Sequence, residues 1–271
     1  MPFSRLNTRF PRKRAFITGA ASGLGLELAH ALAADGWSLG LFDRNLERLT
    51  EVEGKLAAAG IPVLAYPGDV TQADELTVAV NSFAATHNGL DLMVNNAGVA
   101  CTGTLMEVPL EDWRWIVDIN VMGVVHGCRA AVPHLERNAS GLLINVASAA
   151  AFVSAPGMGP YNATKAAVLS LSETLAAELH ASGIQVSVVM PTFFKTSLLE
   201  SFRGPDASRA RATNLMEKST YLVAEVARDV LMLAGAGKTY IPLPKATRAL
   251  WRTKRWLPEF FLKRLIAQRA R

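Results

Sequence analysis

Cysteine is nearly absent: 271 residues hold two, Cys101 and Cys128. Two thiols make no disulfide framework, and neither belongs to a ligand cluster at metal-site spacing, so no metal is expected. Both read as reduced thiols of a cytosolic protein. Charge is also scarce, at 19% of residues against 50% hydrophobic, which excludes disordered, collagen-like and coiled-coil classes. Long apolar runs are missing. The longest stretch without Asp, Glu, Lys or Arg, residues 138–164, is broken by Asn138, Gly141, Pro156, Gly157 and Pro160, which argues against a spanning helix. The basic N-terminus lacks the apolar segment of a signal peptide. The expected localisation is therefore cytoplasmic. No Pro/Ser-rich linker and no repeat divides the chain, so one domain is expected.

The net charge of +5 is unevenly spread. Residues 1–14 carry five basic groups and no acid, and residues 245–271 carry nine against Glu259 alone, leaving 14 basic and 22 acidic groups for 15–244. An acidic body with two basic ends is not the footprint of a nucleic-acid-binding fold.

Near-continuous apolar runs at 14–18, 38–42, 62–66, 90–94, 142–146, 185–190 and 239–243 read as strands covered on both faces. Helical patterns at 24–34, 46–59, 73–87, 110–137, 161–182 and 223–234 alternate with them. The fold class is α/β: a doubly wound, Rossmann-like parallel sheet of about seven strands. The divisions are a basic extension over 1–12, a catalytic domain over 13–244, and a basic amphipathic tail over 245–271. Segment 196–220 reads as polar and turn-rich.

Between the first strand and helix stands Thr18-Gly19-Ala20-Ala21-Ser22-Gly23-Leu24-Gly25. Glycines at this point let a pyrophosphate approach the amides of a helix N-terminus. Asp43, eighteen residues after Gly25, ends the second strand, where a carboxylate accepts from an adenosine ribose; the alternative is a helix cap before Asn45. Asp43 would repel the 2′-phosphate of NADP, which favours NAD, whereas Arg44 offers that phosphate a partner.

These motifs resemble the short-chain dehydrogenase/reductase family, over roughly Lys13 to Leu243. Thr18–Gly25, with Gly19, Ser22, Gly23, Leu24 and Gly25, matches its cofactor loop. Asp69-Val70 matches its adenine-contacting pair. Asn95-Asn96-Ala97-Gly98 matches the motif that runs beneath the nicotinamide ribose. Asn120, Ser148, Tyr161 and Lys165 match its catalytic set, with Ser148 thirteen positions before Tyr161. Pro191 and Thr196 match positions beside the nicotinamide, although Thr192 stands where the family has glycine. A glycine there leaves the backbone freer than threonine does. The resemblance also implies a homodimer or homotetramer.

The residue types carry the chemistry. Tyr161 and Lys165 lie four apart on a helix, hence on one face. A neighbouring ammonium favours the phenolate, making Tyr161 a general acid/base, while Lys165 holds ribose hydroxyls and Ser148 orients the substrate oxygen. By resemblance, Asn120 anchors a proton-relaying water. His30, His87, His126, His134 and His180 show no triad spacing. Cys101 reads as a buried thiol, with the active-site mouth as the alternative.

Residues 197–220 fall where the family varies its substrate loop. Leu198, Leu199, Phe202, Leu215 and Met216 suggest an apolar lining, and Arg203, Arg209, Arg211 and Lys218 a partner for an anion. A hydrophobic secondary alcohol or ketone is the expected substrate. The alternatives are an NADPH-dependent 3-oxoacyl reductase served by an acidic carrier protein, and a catalytically retired scaffold. In the tail, Pro258 suits the start of a helix that pairs Phe261 with Leu265 and Leu262 with Ile266. Such a helix reads either as a peripheral membrane element or as packing on this or a neighbouring subunit.

Overall fold

The computed structural model describes residues 3–269. All seven expected strands form: β1 (Arg14–Thr18), β2 (Ser38–Asp43), β3 (Val63–Pro67), β4 (Leu92–Asn95), β5 (Gly141–Val146), β6 (Ile184–Pro191) and β7 (Tyr240–Leu243). They pair in parallel in the order β3-β2-β1-β4-β5-β6-β7. Every residue of β1, β4 and β5 is buried, because helices cover both faces. Alternate side chains serve opposite cores: Phe16 packs with Phe42, Phe83 and Met93, while Ala15 and Ile17 face the other side with Leu28, Leu32 and Val230.

The helices are α1 (Ser4–Arg9), α2 (Gly23–Ala33), α3 (Leu46–Ala58), α4 (Ala73–Thr86), α5 (Leu110–Val117), α6 (Gly123–Arg137), α7 (Ala150–Val153), α8 (Gly159–Glu178), α9 (Asp206–Glu217), α10 (Val223–Gly235), α11 (Thr247–Trp256) and α12 (Pro258–Arg269). Helices α4, α6 and α8 supply the Phe16 face; α2, α3 and α10 supply the other. Asn45 caps α3 by accepting from Arg48 N at 3.0 Å.

Four features go beyond the sequence reading. The basic N-terminal extension packs on the body: α1 buries Leu6, followed by Phe10, and Asn7 Oδ1 accepts from Trp37 Nε1 at 3.0 Å. The single helix expected over 110–137 contains a π-helical turn, Asp118–Met122, between α5 and α6. Segment 196–220 holds a helix, α9, of strong helix formers with Asp206 in its first turn; it buries only Met216, so its sequence shows little apolar period. In the tail, α12 begins at Pro258 as expected, and a further helix, α11, precedes it.

Among the described residues, only Leu110–Arg137 is long and apolar enough to cross a membrane by length and composition. Ile116, Ile119, Val124 and Leu135 within it are built into the core beside the sheet. Burial raises both thiols, Cys101 to about 11 and Cys128 to about 12. Cys101 is fully buried and reaches no mouth.

Candidate active site

In this strand order the chain winds outward in both directions from β1, whose neighbours are β2 and β4. Helices then leave the sheet on opposite sides, and a crevice opens at the carboxyl ends of the strands. A cavity of about 480 Å³ lies there.

Its nucleotide end is built on β1 and α2. Gly19 and Gly23 adopt φ of +63° and +53°, a region costly for side chains. A Cβ on Gly25 would collide with Gly19 O, so Gly25 lies beneath the loop rather than on the cavity wall. Gly19, Ser22, Gly23 and Leu24 do line it. No side chain caps the first turn of α2, whose amides therefore face the cavity as an anion cradle. Asn96 braces the loop from β4, donating Nδ2 to Thr18 O and Gly19 O, both at 3.0 Å. Asp69 and Val70 form the far wall with Asp43 and Arg44. Asp43 accepts from Ala21 N at 3.0 Å and Asn45 N at 2.9 Å. It fixes the turn without capping α3, and a carboxylate retains further acceptor sites. The cradle, free helix N-terminus and carboxylate fit a dinucleotide.

The reactive end is built on β5, the π turn and α8. Tyr161 and Lys165 are both buried. Ser148 Oγ donates to Pro191 O at 3.4 Å and accepts from Ala150 N at 3.1 Å. Lys165 Nζ donates to Val146 O at 2.9 Å and stands 5.8 Å from the centre of the Tyr161 ring. Here the structure differs from expectation. Burial pushes the Tyr161 phenol up, with the Ser148 hydrogen bond offsetting it in part, and burial lowers Lys165 to about 8. Desolvation opposes both charged forms, and the ammonium is turned toward a carbonyl rather than the phenol.

Asn120 lies behind the wall. Its Oδ1 accepts from Val99 N at 2.8 Å, and its Nδ2 donates to Val99 O at 3.0 Å and Thr164 Oγ1 at 3.3 Å. The π turn that aims it there is typical of functional sites. Ala97 and Gly98 line the cavity. A Cβ on Gly98 would lie 3.1 Å from Asn120 Oδ1 and 3.4 Å from Lys165 Nζ; only glycine leaves that space open.

At the end of β6, Pro191 O accepts from Ala149 N at 2.8 Å. Thr192 is not among the residues with positive φ, so its side chain introduces no backbone strain. Thr196 rests on Gly23. Ser197 Oγ donates to Ser22 Oγ at 2.8 Å, Arg44 Nη2 donates to Ser201 Oγ at 2.9 Å, and Arg48 pairs with Glu200 at 2.7 Å. The segment after β6 is thus tied to the nucleotide half. Sequence reading missed Arg48, Glu200 and Ser201, which no motif marks.

The remaining end is apolar, with Val153, Met158, Leu198, Leu199, Phe202 and Met216. Leu215 does not line it. Neither do the four cations expected to meet an anion. Arg203 pairs with Asp112 at 2.7 Å and stacks 4.0 Å from the Trp115 ring, and Arg209 donates to Phe202 O at 3.0 Å; Arg211 and Lys218 are exposed. Leu250 of α11 completes the wall, held by Trp251 against Phe152 at 4.9 Å.

Comparison with known proteins agrees with this fold. The family described as short chain dehydrogenase matches residues 13–206. The 2-(R)-hydroxypropyl-CoM dehydrogenase of Xanthobacter autotrophicus is 31% identical over 232 residues, covering 84% of this chain and 93% of that one. A short-chain dehydrogenase/reductase from Burkholderia phymatum in complex with NAD superposes with a TM-score of 0.85 at 31% identity, over 90% of this chain and 92% of that one. An alcohol dehydrogenase from Thermococcus sibiricus complexed with 5-hydroxy-NADP gives 0.74 at 27%, over 85% and 95%.

Proposed function

Because the chain belongs to the short-chain dehydrogenase/reductase family of NAD(P)-dependent oxidoreductases, we propose that it interconverts a hydrophobic secondary alcohol and its ketone, with Tyr161 as general acid/base. One observation carries this reading: Ser148, Tyr161 and Lys165 line one cavity together with the glycine loop and with apolar side chains such as Val153, Met158 and Leu199. A nicotinamide dinucleotide, when bound, supplies or accepts the hydride. Ser148 and Tyr161 hold the substrate oxygen, and the Tyr161 hydroxyl gives or takes its proton. Lys165 holds ribose hydroxyls and adds positive charge near the phenol. Asn120 fixes the backbone at Val99 beneath this group. Apolar side chains exclude water and select an uncharged carbon skeleton.

The test is an assay of secondary alcohols and ketones of increasing hydrophobicity, with NADH and NADPH compared separately. Activity confined to charged substrates would overturn the substrate reading, and activity chiefly on 3-oxoacyl thioesters with NADPH would install the carrier-linked reductase in its place.

NAD(H) is the proposed cofactor. Support comes from Asp43 at the end of β2 and from the existing partners of Arg44 and Arg48, Ser201 and Glu200. Asp43→Asn removes the charge and keeps one of the two oxygens that accept from Ala21 N and Asn45 N. It is expected to raise the NADPH/NADH ratio of kcat/KM by roughly tenfold, the order of one charged hydrogen bond. A wild-type enzyme that already prefers NADPH would contradict this assignment.

A further inference from the structure

Helices α11 and α12 lie beyond residues 13–206, the span of the family match. Helix α11 is anchored: Trp251 packs on Phe152 and lies 5.7 Å from the Tyr240 ring, and Leu250 reaches the cavity wall. Helix α12 folds back on it through buried Phe261, over which Lys254 stands at 5.4 Å. That contact consumes one side of the Phe261/Leu265 pair and leaves much of the apolar surface uncovered. Trp256 is 83% exposed and Ile266 60%, and Leu257, Phe260 and Leu262 are exposed as well. Leu262 and Ile266, four apart, share one side of α12, and Trp256 and Leu257 form the corner before it.

Cations surround these side chains. Lys245, Arg252, Arg255, Lys263 and Arg264 are exposed. Among the described tail cations only Arg255 meets a carboxylate, Glu173 at 3.6 Å. Glu259 is the tail's single acid. A protein partner recognised by charge alone would not require five bare apolar side chains among the cations. Water penalises that arrangement. A lipid headgroup boundary accommodates it: aromatic and aliphatic groups enter the acyl margin while Lys and Arg extend to phosphates.

We propose that the α11–α12 corner is a docking surface for anionic phospholipid membranes. It would hold the substrate end of the cavity, whose wall includes Leu250, beside the bilayer. Docking itself does not rest on the substrate assigned above, and vesicle binding tests it separately from turnover.

The experiment is sedimentation of the full chain with vesicles of phosphatidylcholine alone or mixed equally with phosphatidylglycerol. A cation near an anionic surface contributes about 1 kcal/mol, roughly fivefold in partitioning. Wild type is therefore expected to favour the mixed vesicles by more than about tenfold and to be released by salt. Lys263→Glu/Arg264→Glu and, separately, Trp256→Ser/Ile266→Ser should each lower partitioning about tenfold or more. Thermal unfolding and NADH fluorescence titration confirm that each variant is folded. A wild-type chain that stays in the supernatant overturns the proposal, as does equal sedimentation of folded variants. If light scattering shows instead that the Trp256/Ile266 variant splits a wild-type oligomer and vesicles go unbound, the surface is a contact between copies, which also overturns it.

Discussion

Tyr161→Phe is expected to lower kcat for alcohol oxidation by about 10²–10⁴-fold while leaving cofactor affinity nearly unchanged, as follows from the contribution of a positioned acid/base. The variant removes one oxygen from a buried ring and leaves Lys165, which donates to Val146 O rather than to the phenol. The glycine loop is untouched. Fluorescence titration with NADH and initial rates of oxidation check the two halves. The sign of the pH dependence follows from burial, which raises the Tyr161 pKa. Oxidation needs the phenolate, so its rate should climb as pH rises toward that raised value. Ketone reduction needs the phenol and is favoured at neutral pH. Lys165, lowered to about 8, is charged below that point, and its charge there favours the phenolate. The residual rate of Tyr161→Phe should lose the climb. A variant that retains wild-type rates would remove Tyr161 from the chemistry altogether.

Asp91→Ala is expected to cost about 3–5 kcal/mol of stability, the usual consequence of stranding one member of a buried ion pair. Arg14 at the start of β1 and Asp91 just before β4 have side chains 4% and 8% exposed. Asp91 accepts from Arg14 Nη2 at 2.7 Å and from Nε and the backbone N at 3.0 Å each. Arg14 Nη1 also donates to Asn88 O. Truncation leaves a guanidinium enclosed with a single carbonyl partner. By contrast, Arg48–Glu200, with side chains 44% and 54% exposed, is screened by water and contributes little to stability. For a chain of this length the loss corresponds to roughly 6–20 °C in Tm. Denaturant unfolding measures it, and Arg14→Met combined with Asp91→Ala should restore a large part. A single-variant cost below about 1 kcal/mol would show that the pair is not desolvated.

Much of this molecule was legible in its sequence because parallel strands buried on both faces must be apolar throughout. β1, β4 and β5 announce themselves for that reason, and the glycine loop is legible because backbone geometry admits few other residues. What escaped depended on geometry across the chain. The π turn at Asn120 is a change of hydrogen-bond partner with no compositional mark. Helix α9 buries one side chain and shows no stripe. Arg203 and Arg209 could be seen as free cations only while Asp112, Trp115 and Phe202 O were not known to meet them. The Tyr161–Lys165 spacing correctly put both on one face of α8, yet it could not show that Val146 O takes the ammonium. Leu250 entered the cavity wall through Trp251 and Phe152, a contact spanning about a hundred residues of chain.

The fastening of the segment after β6 has a kinetic meaning. Ser197, Glu200 and Ser201 bridge from that segment to Ser22, Arg48 and Arg44, on the same side of the cavity as the glycine loop. Each tie is short but partly or largely exposed, so together they hold lightly and can release on every turnover. While they are made, they obstruct traffic at the nucleotide end but leave Leu250, Met216 and the apolar end outside the fastening. Changes that cut these ties are therefore expected to alter dinucleotide affinity more than substrate affinity, which fluorescence titration with NADH on Glu200→Ala and the KM of the second substrate together check.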